Sequence, residues 1–398
     1  MTARSVRLNE IAEISLGFAF KSAKFSKDGT GTRLLRGDNI VQGTTRWNRA
    51  ELWPDENAAD PRYQLAEDDV VLAMDRPWIE AGLKFAKIQA ADLPSLLVQR
   101  VARLRVKAGH DQRFLAAIIG SRRFSGYVLS VQTGTAVPHI SGGQIGNYSF
   151  EIPTLALQMA IADVLGALDD KIAANNRIAS SAAVLASTIY GREVVGRQER
   201  AMSDILTPIL GGTPARSEAQ FWTGTNLWAS ARDVTGADHG IIVETVEKIS
   251  ASAIQKTKAK PLPKGSVILT ARGTVGAVAR LGVASSFNQS CYGFEPGKLP
   301  AGVLYFAILN ATERAKAFAH GSVFDTITMK TFEHLTVPDL SRVELDAIEA
   351  QIRPLLEAVN LAVGENRTLA ATRDALLPQL MSGKLRVKDA EKSLAGVL

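Results

Sequence analysis

Two stretches of the chain carry apolar residues at helical spacing over many turns. From Ile161 through Val164, Leu168, Lys171, Asn175, Ile178, Ala182, Leu185 and Ile189 the positions step by three and four without a break, and seven of the nine are apolar. A second series, Ile348, Ile352, Leu355, Val359, Ala362, Asn366, Leu369, Arg373, Leu376 and Leu380, is apolar at eight of ten positions. This spacing predicts two long helices, each with a coiled-coil seam. The first should begin near Thr154, a residue suited to capping a helix just after Pro153. Residues 154–190, at about 1.5 Å each, would form a rod of roughly 55 Å, longer than a small domain is wide. Two such helices are best buried against each other, and an antiparallel pair is expected. An Asn near the middle of each seam would fix register and partner. Pro354 and Pro378 should kink or fray the second helix.

Ahead of each helical pattern lies a mixed region of short strand-like runs, such as Asp69-Val70-Val71-Leu72-Ala73 and Ser266-Val267-Ile268-Leu269-Thr270. Gly- and Thr-rich loops punctuate these regions, at 29–32, 43–45, 142–143, 211–214 and 272–276. The two halves also correspond residue by residue. At a shift of 194, Leu8-Asn9-Glu10-Ile11 meets Met202-Ser203-Asp204-Ile205, Leu16-Gly17 meets Leu210-Gly211, and Asn39-Ile40 meets Asp233-Val234. LAEDDVVL (65–72) resembles LPKGSVIL (262–269). Gly134-Thr135 meets Gly321-Ser322, His139-Ile140 meets Thr326-Ile327, Ile152-Pro153 meets Val337-Pro338, and Asn176-Arg177 meets Asn366-Arg367. The order never breaks. The period is far too long for a solenoid, so the chain reads as two copies of one two-part module. The expected boundaries are 1–153 and 199–338 for the globular parts, with 154–198 and 339–398 for the helical parts.

Charge follows the same division. Residues 1–150 carry 20 Lys/Arg against 15 Asp/Glu, and residues 201–338 carry 13 against 10. The helical segments are near neutral, with 5 against 6 over 151–200 and 8 against 9 over 339–398. Two basic runs stand out. Arg100, Arg103, Arg105, Lys107, Arg113, Arg122 and Arg123 surround the single acid Asp111, and the run from Lys256 to Lys298 surrounds the single acid Glu295. Either alone reads as a solvated face, but their repetition favours a polyanion surface. The chain of 398 residues has 46% apolar and 22% charged residues, which excludes a disordered or collagen-like polypeptide. Its lone cysteine, Cys291, can make neither an internal disulfide nor a multi-thiolate metal site. No run approaches the ~20 apolar residues that cross a membrane, and the opening residues lack a signal-peptide pattern. A cytoplasmic protein with no membrane association is expected.

Motifs for common chemistries are missing. There is no P-loop, no His-Glu-x-x-His, no Cys/His cluster, no Pro-Pro pair of an amino-group methyltransferase, no Glu-x-Lys of a Mg²⁺ nuclease and no Gly-x-Ser-x-Gly. The histidines at 110, 139, 239, 320 and 334 are scattered. A binding protein is the expectation, with no catalytic residue and no metal site on the chain.

The order of parts resembles the DNA sequence-specificity subunit of type I restriction-modification enzymes. The residues that carry the likeness are the repeated openings at 8–14 and 202–206, LLRGDNI at 34–40, GSVILTARGTVG at 265–276, and the Gly-Thr and Gly-Ser loops at 134 and 321. The junctions carry more: Phe150-Glu151-Ile152-Pro153-Thr154-Leu155 with Gln158, then Ala167-Leu168-Asp169-Asp170-Lys171-Ile172 and Asn175-Asn176-Arg177. The run LPQLMSGKL (377–385) looks like the family's closing segment. The second junction, Val337-Pro338-Asp339-Leu340-Ser341, departs from the family's usual Glu-Gln, and Asp75-Arg76-Pro77-Trp78 replaces the Arg-Gly-Thr of the second copy.

The resemblance implies an α+β chain. Two similar mixed α/β target recognition domains would be separated by two long helices paired as an antiparallel coiled coil. Each domain would read one half of a split site on double-stranded DNA, and the helices would set the gap and dock two methyltransferase (modification) subunits. A separate restriction motor-nuclease subunit would join for cleavage. S-adenosylmethionine, ATP and Mg would bind those partner subunits, with no cofactor on this chain. Half-sites about one helical turn, ~34 Å, apart present one duplex face to both domains. Loops would then offer Arg or Lys to guanine and Asn or Gln to adenine. The candidate DNA-binding residues are Arg33, Arg36, Arg76, Lys84, Thr135 and His139 in the first domain. In the second they are Arg232, Lys256, Lys258, Arg272, Thr274, Ser322 and Thr326. Three other readings stay open: the recognition subunit of another restriction-modification type, a catalytic DNA methyltransferase or nuclease with dispersed residues, and a coiled-coil scaffold without a DNA role.

Overall fold

The computed structural model describes residues 4–48, 50–54, 60–79, 82–318, 326–394 and 396. The chain folds as two compact units, Met1–Lys171 with Leu369–Leu398, and Ile172–Thr368. The division runs through both long helices instead of at their ends.

In the first unit a five-stranded sheet has the order Ala12–Leu16, Val101–Val106, Val70–Ala73, Phe85–Lys87, Gln42–Gly43. A three-stranded sheet has the order Ser95–Leu97, Thr32–Leu35, Leu52–Trp53, and Arg4–Arg7 pairs antiparallel with Ser149–Ile152. Val70–Ala73 is apolar at every position because both of its faces are covered. Leu35, Ile40, Val71, Ala86, Ile88, Leu97 and Val101 form the core around it. The helices Gln112–Ile119 and Arg122–Val131 complete the unit.

The second unit repeats this plan strand for strand. Its five-stranded sheet runs Ile209–Leu210, Cys291–Phe294, Val267–Thr270, Val278–Leu281, Ile241–Ile242. Its three-stranded sheet runs Ser286–Phe287, Asn226–Ala229, Glu247–Ile249, and Glu199–Ala201 pairs with Thr336–Pro338. One helix, Ala301–Phe318, stands where the first unit has two. Equivalent glycines explain part of the conservation of form. A Cβ on Gly17 would collide with the Val98 carbonyl, and one on Gly211 with the Asn288 carbonyl.

The long helices are Leu155–Val194 and Arg342–Met381, 40 residues each. In the first unit Arg373 Nη1 donates to Asp169 Oδ1 at 2.6 Å. In the second, Asn175 Nδ2 donates to Glu365 Oε2 at 2.7 Å and Asn366 Oδ1 at 3.0 Å, and Asn366 Nδ2 donates to Asn176 Oδ1 at 2.7 Å. Within that unit Ala179 and Ala182 cluster with Val359, Ala362 and Val363, while Ala186 and Tyr190 join Leu345, Ile348, Ile352 and Leu356. Numbers rise on one helix as they fall on the other, so the pair is antiparallel and the two central Asn residues meet.

Two expectations need correction. Ile178 and Leu185 are 53% and 49% exposed, and the buried positions are Ala179 and Ala186. A straight helix drifts about 20° per heptad against a strict seven-residue repeat, and here the stripe has moved by one residue onto alanines, which let the backbones approach. Pro354 and Pro378 do not interrupt the second helix. Both are exposed, and each leaves the carbonyl four residues earlier without its N–H donor.

Each helix is fastened to the globular part of its own unit at an equivalent place. Gln158, 1% exposed, accepts from Asp111 N (3.1 Å) and donates to Pro153 O (2.9 Å). Asp111 in turn caps Gln112–Ile119. Glu349 Oε2 accepts from Gly302 N (2.9 Å) and Val303 N (3.1 Å), at the N-terminus of Ala301–Phe318, where a carboxylate also meets the positive end of the helix dipole.

Candidate nucleic-acid interface

Strand register gathers a set of loops at one end of each five-stranded sheet. In the first unit Leu16 lies opposite Ala102, Val101 opposite Ala73, and Leu72 opposite Phe85. The segments leaving these strands at that end are 17–18, 74–79, 82–84 and 99–100. Met74 N donates to Arg100 O (2.8 Å) and Met74 O accepts from Ile140 N (2.9 Å), which adds the turn 133–140. In the second unit Leu210 lies opposite Tyr292 and Thr270 opposite Cys291. Ala271 N donates to Ser290 O (2.8 Å) and Ala271 O accepts from Ile327 N (2.9 Å). The two frames are the same. Leu16 and Leu210, at matching positions beside them, are 48% and 57% exposed.

This frame sets the correspondence between side chains. Met74 matches Ala271, so Asp75 matches Arg272 and Arg76 matches Gly273. Backbone conformation agrees: Arg76 has φ 45° and Gly273 φ 78°, both left-handed, a region that suits glycine and strains arginine. The strain is held by Arg76 N donating to Pro138 O at 2.6 Å, and it leaves the Arg76 side chain exposed at the loop tip.

Around Arg76 the first unit carries a mixed cluster. His139 Nδ1 and Asp75 Oδ1 are 2.6 Å apart, and Arg100 Nε lies 3.7 Å from Asp75 Oδ2. Lys84, 9% exposed, has its ammonium 3.9 Å from the exposed Asp38. Burial pushes the Lys84 ammonium below its ordinary value, Asp38 opposes that shift, and Arg76 and Arg46 add to it. Arg36, exposed, makes a loose pair with Glu51 at 3.8 Å. Thr135 is exposed in the turn closed by the bridge between Thr133 and His139. Arg33 stands apart. Its Nη2 donates to the Ala91 and Leu93 carbonyls, both at 2.9 Å, and its guanidinium lies 4.7 Å from the Trp47 ring centre. That is a clamp between the unit's own loops.

In the second unit Arg272 and Thr274 are exposed in the turn after Val267–Thr270, and the Thr274 carbonyl accepts from Thr270 Oγ1 at 2.5 Å. Arg232 is exposed on the short helix Ala231–Thr235, next to Ala229, whose carbonyl accepts from Asn288 N (3.0 Å). Lys256 ends the helix Ala251–Lys256, and Lys258 follows, its backbone against Gly212; both side chains are exposed. Thr326 is exposed beside Ile327. Ser322, with Gly321 and His320, lies outside the described residues.

Neither basic run lies wholly at the surface. Arg103 is buried and donates to the Arg62 and Gln64 carbonyls, Arg105 holds Asp69, and Arg113 and Arg122 reach Asp163 and Asp374 on the long helices. Arg280 is buried, donates to Leu356 O at 2.8 Å, and burial pushes its guanidinium down to about 10. Lys260 donates to the Ile254 and Gln255 carbonyls near the end of the helix Ala251–Lys256. Of the first run, Arg100 is the residue set at the loop end of the sheet. Asp75 is not among the interface residues expected from sequence, whereas Arg100 heads the first basic run. The signal was available, because the shift of 197 that aligns LAEDDVVL with LPKGSVIL also aligns Asp75 with Arg272 when extended.

Among the described residues no group of three or more His, Cys, Asp or Glu is placed to hold a metal ion. No helix there is long and apolar enough to cross a membrane.

Residues 2–182 and 195–339 each match the family described as the type I restriction modification DNA specificity domain. A stretch of 143 residues, 35% of this chain, is 40% identical to the EcoAI type I restriction enzyme specificity subunit of Escherichia coli, and takes in 23% of that relative. Another of 169 residues, 42% of the chain, is 30% identical to the MjaVIII specificity subunit of Methanocaldococcus jannaschii, of which it takes in 39%. A crystal structure of a type I restriction-modification S subunit from M. genitalium superposes with a TM-score of 0.56 over 95% of this chain and 96% of that one, at 12% identity, a likeness of fold.

Proposed function

Because the chain belongs to the type I restriction-modification DNA specificity family, we infer that it selects the DNA site for a modification and restriction complex. Each unit reads one half of a two-part site with the loop end of its five-stranded sheet. The observation that carries this is the duplicated frame around Met74 and Ala271, which presents exposed polar and cationic side chains from equivalent loops in both units. A rigid sheet holding exposed loops is a common way to position recognition side chains. Arg36, Lys256 and Lys258 contact phosphates, and Asp75, Arg76, His139, Arg272 and Thr326 read base edges. Arg33 braces its own domain.

In this reading the globular segments 1–153 and 199–338 are the recognition domains. The helical segments 154–198 and 339–398 set the gap between half-sites. They also dock two modification subunits, and a restriction motor-nuclease subunit joins them. S-adenosylmethionine, ATP and Mg act on those partners in the cytoplasm, and this chain recognises without catalysing. The near-neutral helical segments and the absence of nucleotide, metal and nucleophile motifs in the sequence support the division of labour.

The test is duplex binding by the full chain, copurified with its modification subunits, across a salt series. A chain that neutralises several phosphates should lose affinity steeply, with a log–log slope of about −0.9 per phosphate contact. Binding that is flat in salt, or absent in every duplex, refutes the reading.

A further inference from the structure

Equivalent positions in the two units carry opposite charge. Asp75 and Arg272 sit one residue beyond the same backbone frame, at the same end of the same sheet. Their neighbours differ in the same sense. In the first unit the position opposite is His139, in the second Thr326. Arg100, which steadies Asp75 from 3.7 Å, is replaced by Ser290. The charge change is thus accompanied by changes in the residues around it.

Resting on the reading of the two loop ends as base-reading surfaces, we propose that Asp75 and Arg272 are the matched specificity-determining residues of the two half-sites and read bases of opposite hydrogen-bonding polarity. The first unit takes a base presenting an exocyclic amine in the major groove, cytosine or adenine. The second takes guanine. A carboxylate can only accept, so in the 2.6 Å contact His139 Nδ1 donates to Asp75 Oδ1. Asp75 keeps unused lone pairs beyond those facing His139 and Arg100. Asp75 therefore presents acceptors, which suit the N4 amine of cytosine or the N6 amine of adenine. His139 acts partly through Asp75, and Asp75 orients its ring. Arg272 is exposed and makes no ion pair among the described residues. Its planar fork of donors matches O6 and N7 of guanine.

The experiment selects bound sequences from randomised duplexes with the full chain, copurified with its modification subunits, as wild type, Asp75→Arg, Asp75→Asn and Arg272→Asp. In each variant the half-site read by the unchanged unit reports that the chain is folded and bound. Asp75→Arg should move the preference at one base pair of the first half from cytosine or adenine to guanine, by roughly tenfold or more, and leave the second half as it was. Arg272→Asp should remove the guanine preference at one base pair of the second half alone. Asp75→Asn, which adds a donor, should relax the same first-half position. The proposal is overturned if the variants weaken binding without changing any base preference, or if selectivity is lost over the whole first half, the mark of a structural brace. Enrichment of no two-part motif by the wild type would instead refute the reading on which the proposal rests.

Discussion

Replacing Asn175 with alanine should destabilise the second unit by about 2 kcal/mol. Asn175 is 5% exposed and its Nδ2 makes two hydrogen bonds, one to a carboxylate oxygen of Glu365 and one to the amide oxygen of Asn366. A hydrogen bond to a charged group contributes about 1.5–3 kcal/mol and a neutral one about 0.5–1.5. Glu365 and Asn366 are half-buried, so water can recover part of the loss, and Asn366 keeps its bond to Asn176. The lower part of the summed range applies. For a unit spanning residues 172–368, each kcal/mol lowers the midpoint by about 2–4 °C, so a fall of about 4–8 °C is expected in a calorimetric scan resolving that unit. The double variant Asn175→Leu with Asn366→Leu should recover most of the loss. It removes both amides of the Asn175–Asn366 contact and leaves Glu365 half-buried within reach of water. A midpoint unchanged by Asn175→Ala would refute the reasoning. A double leucine variant less stable than the single alanine one would show that the cluster stabilises the fold as such, beyond setting its register.

Burial raises the Glu349 carboxyl above its ordinary value of 4.5, and a group whose pKa is raised on folding loses its stabilising contribution as pH rises through the folded value. Glu349→Gln, which imitates Gln158, should therefore be more stable than wild type at pH 7, with the difference vanishing as pH falls below the carboxylate range; the opposite pH trend in urea midpoints would contradict this. Arg272→Ala should weaken binding to the preferred duplex by about 1–3 kcal/mol and relax one base pair of one half-site, whereas uniform loss across sequences would demote Arg272 to a phosphate contact. Gly17→Ala and Gly211→Ala each drive a methyl group into a backbone carbonyl, and each should cost about 1–3 kcal/mol in the unit that carries it, read from its own unfolding midpoint.

The duplication, the mixed character of the globular parts and both long helices were legible in sequence because they rest on periodicity that extends over many residues. Asn175 and Asn366 stood out as polar positions in apolar seams, and they meet. The second half of the first seam was misread because a heptad template favours Ile178 and Leu185, whereas a gradually drifting stripe selects Ala179 and Ala186. The basic runs misled for a different reason. Strand residues alternate faces and helix residues fan out, so Arg103 is buried against backbone carbonyls, and Arg105 and Arg113 pair with carboxylates that only folding brings near. The loop frame needed backbone hydrogen bonds to fix its register to the residue. Once fixed, it pairs Arg272 with Asp75.

The central claim, that two equivalent loop ends read two separate half-sites, is tested most directly by selecting duplexes from a random pool with the wild-type chain copurified with its modification subunits. The account predicts two short specified runs separated by a fixed number of unspecified base pairs. Loop variants at 75 and 272 should act on different runs. One continuous motif, or a motif in which both loop variants alter the same bases, would contradict it.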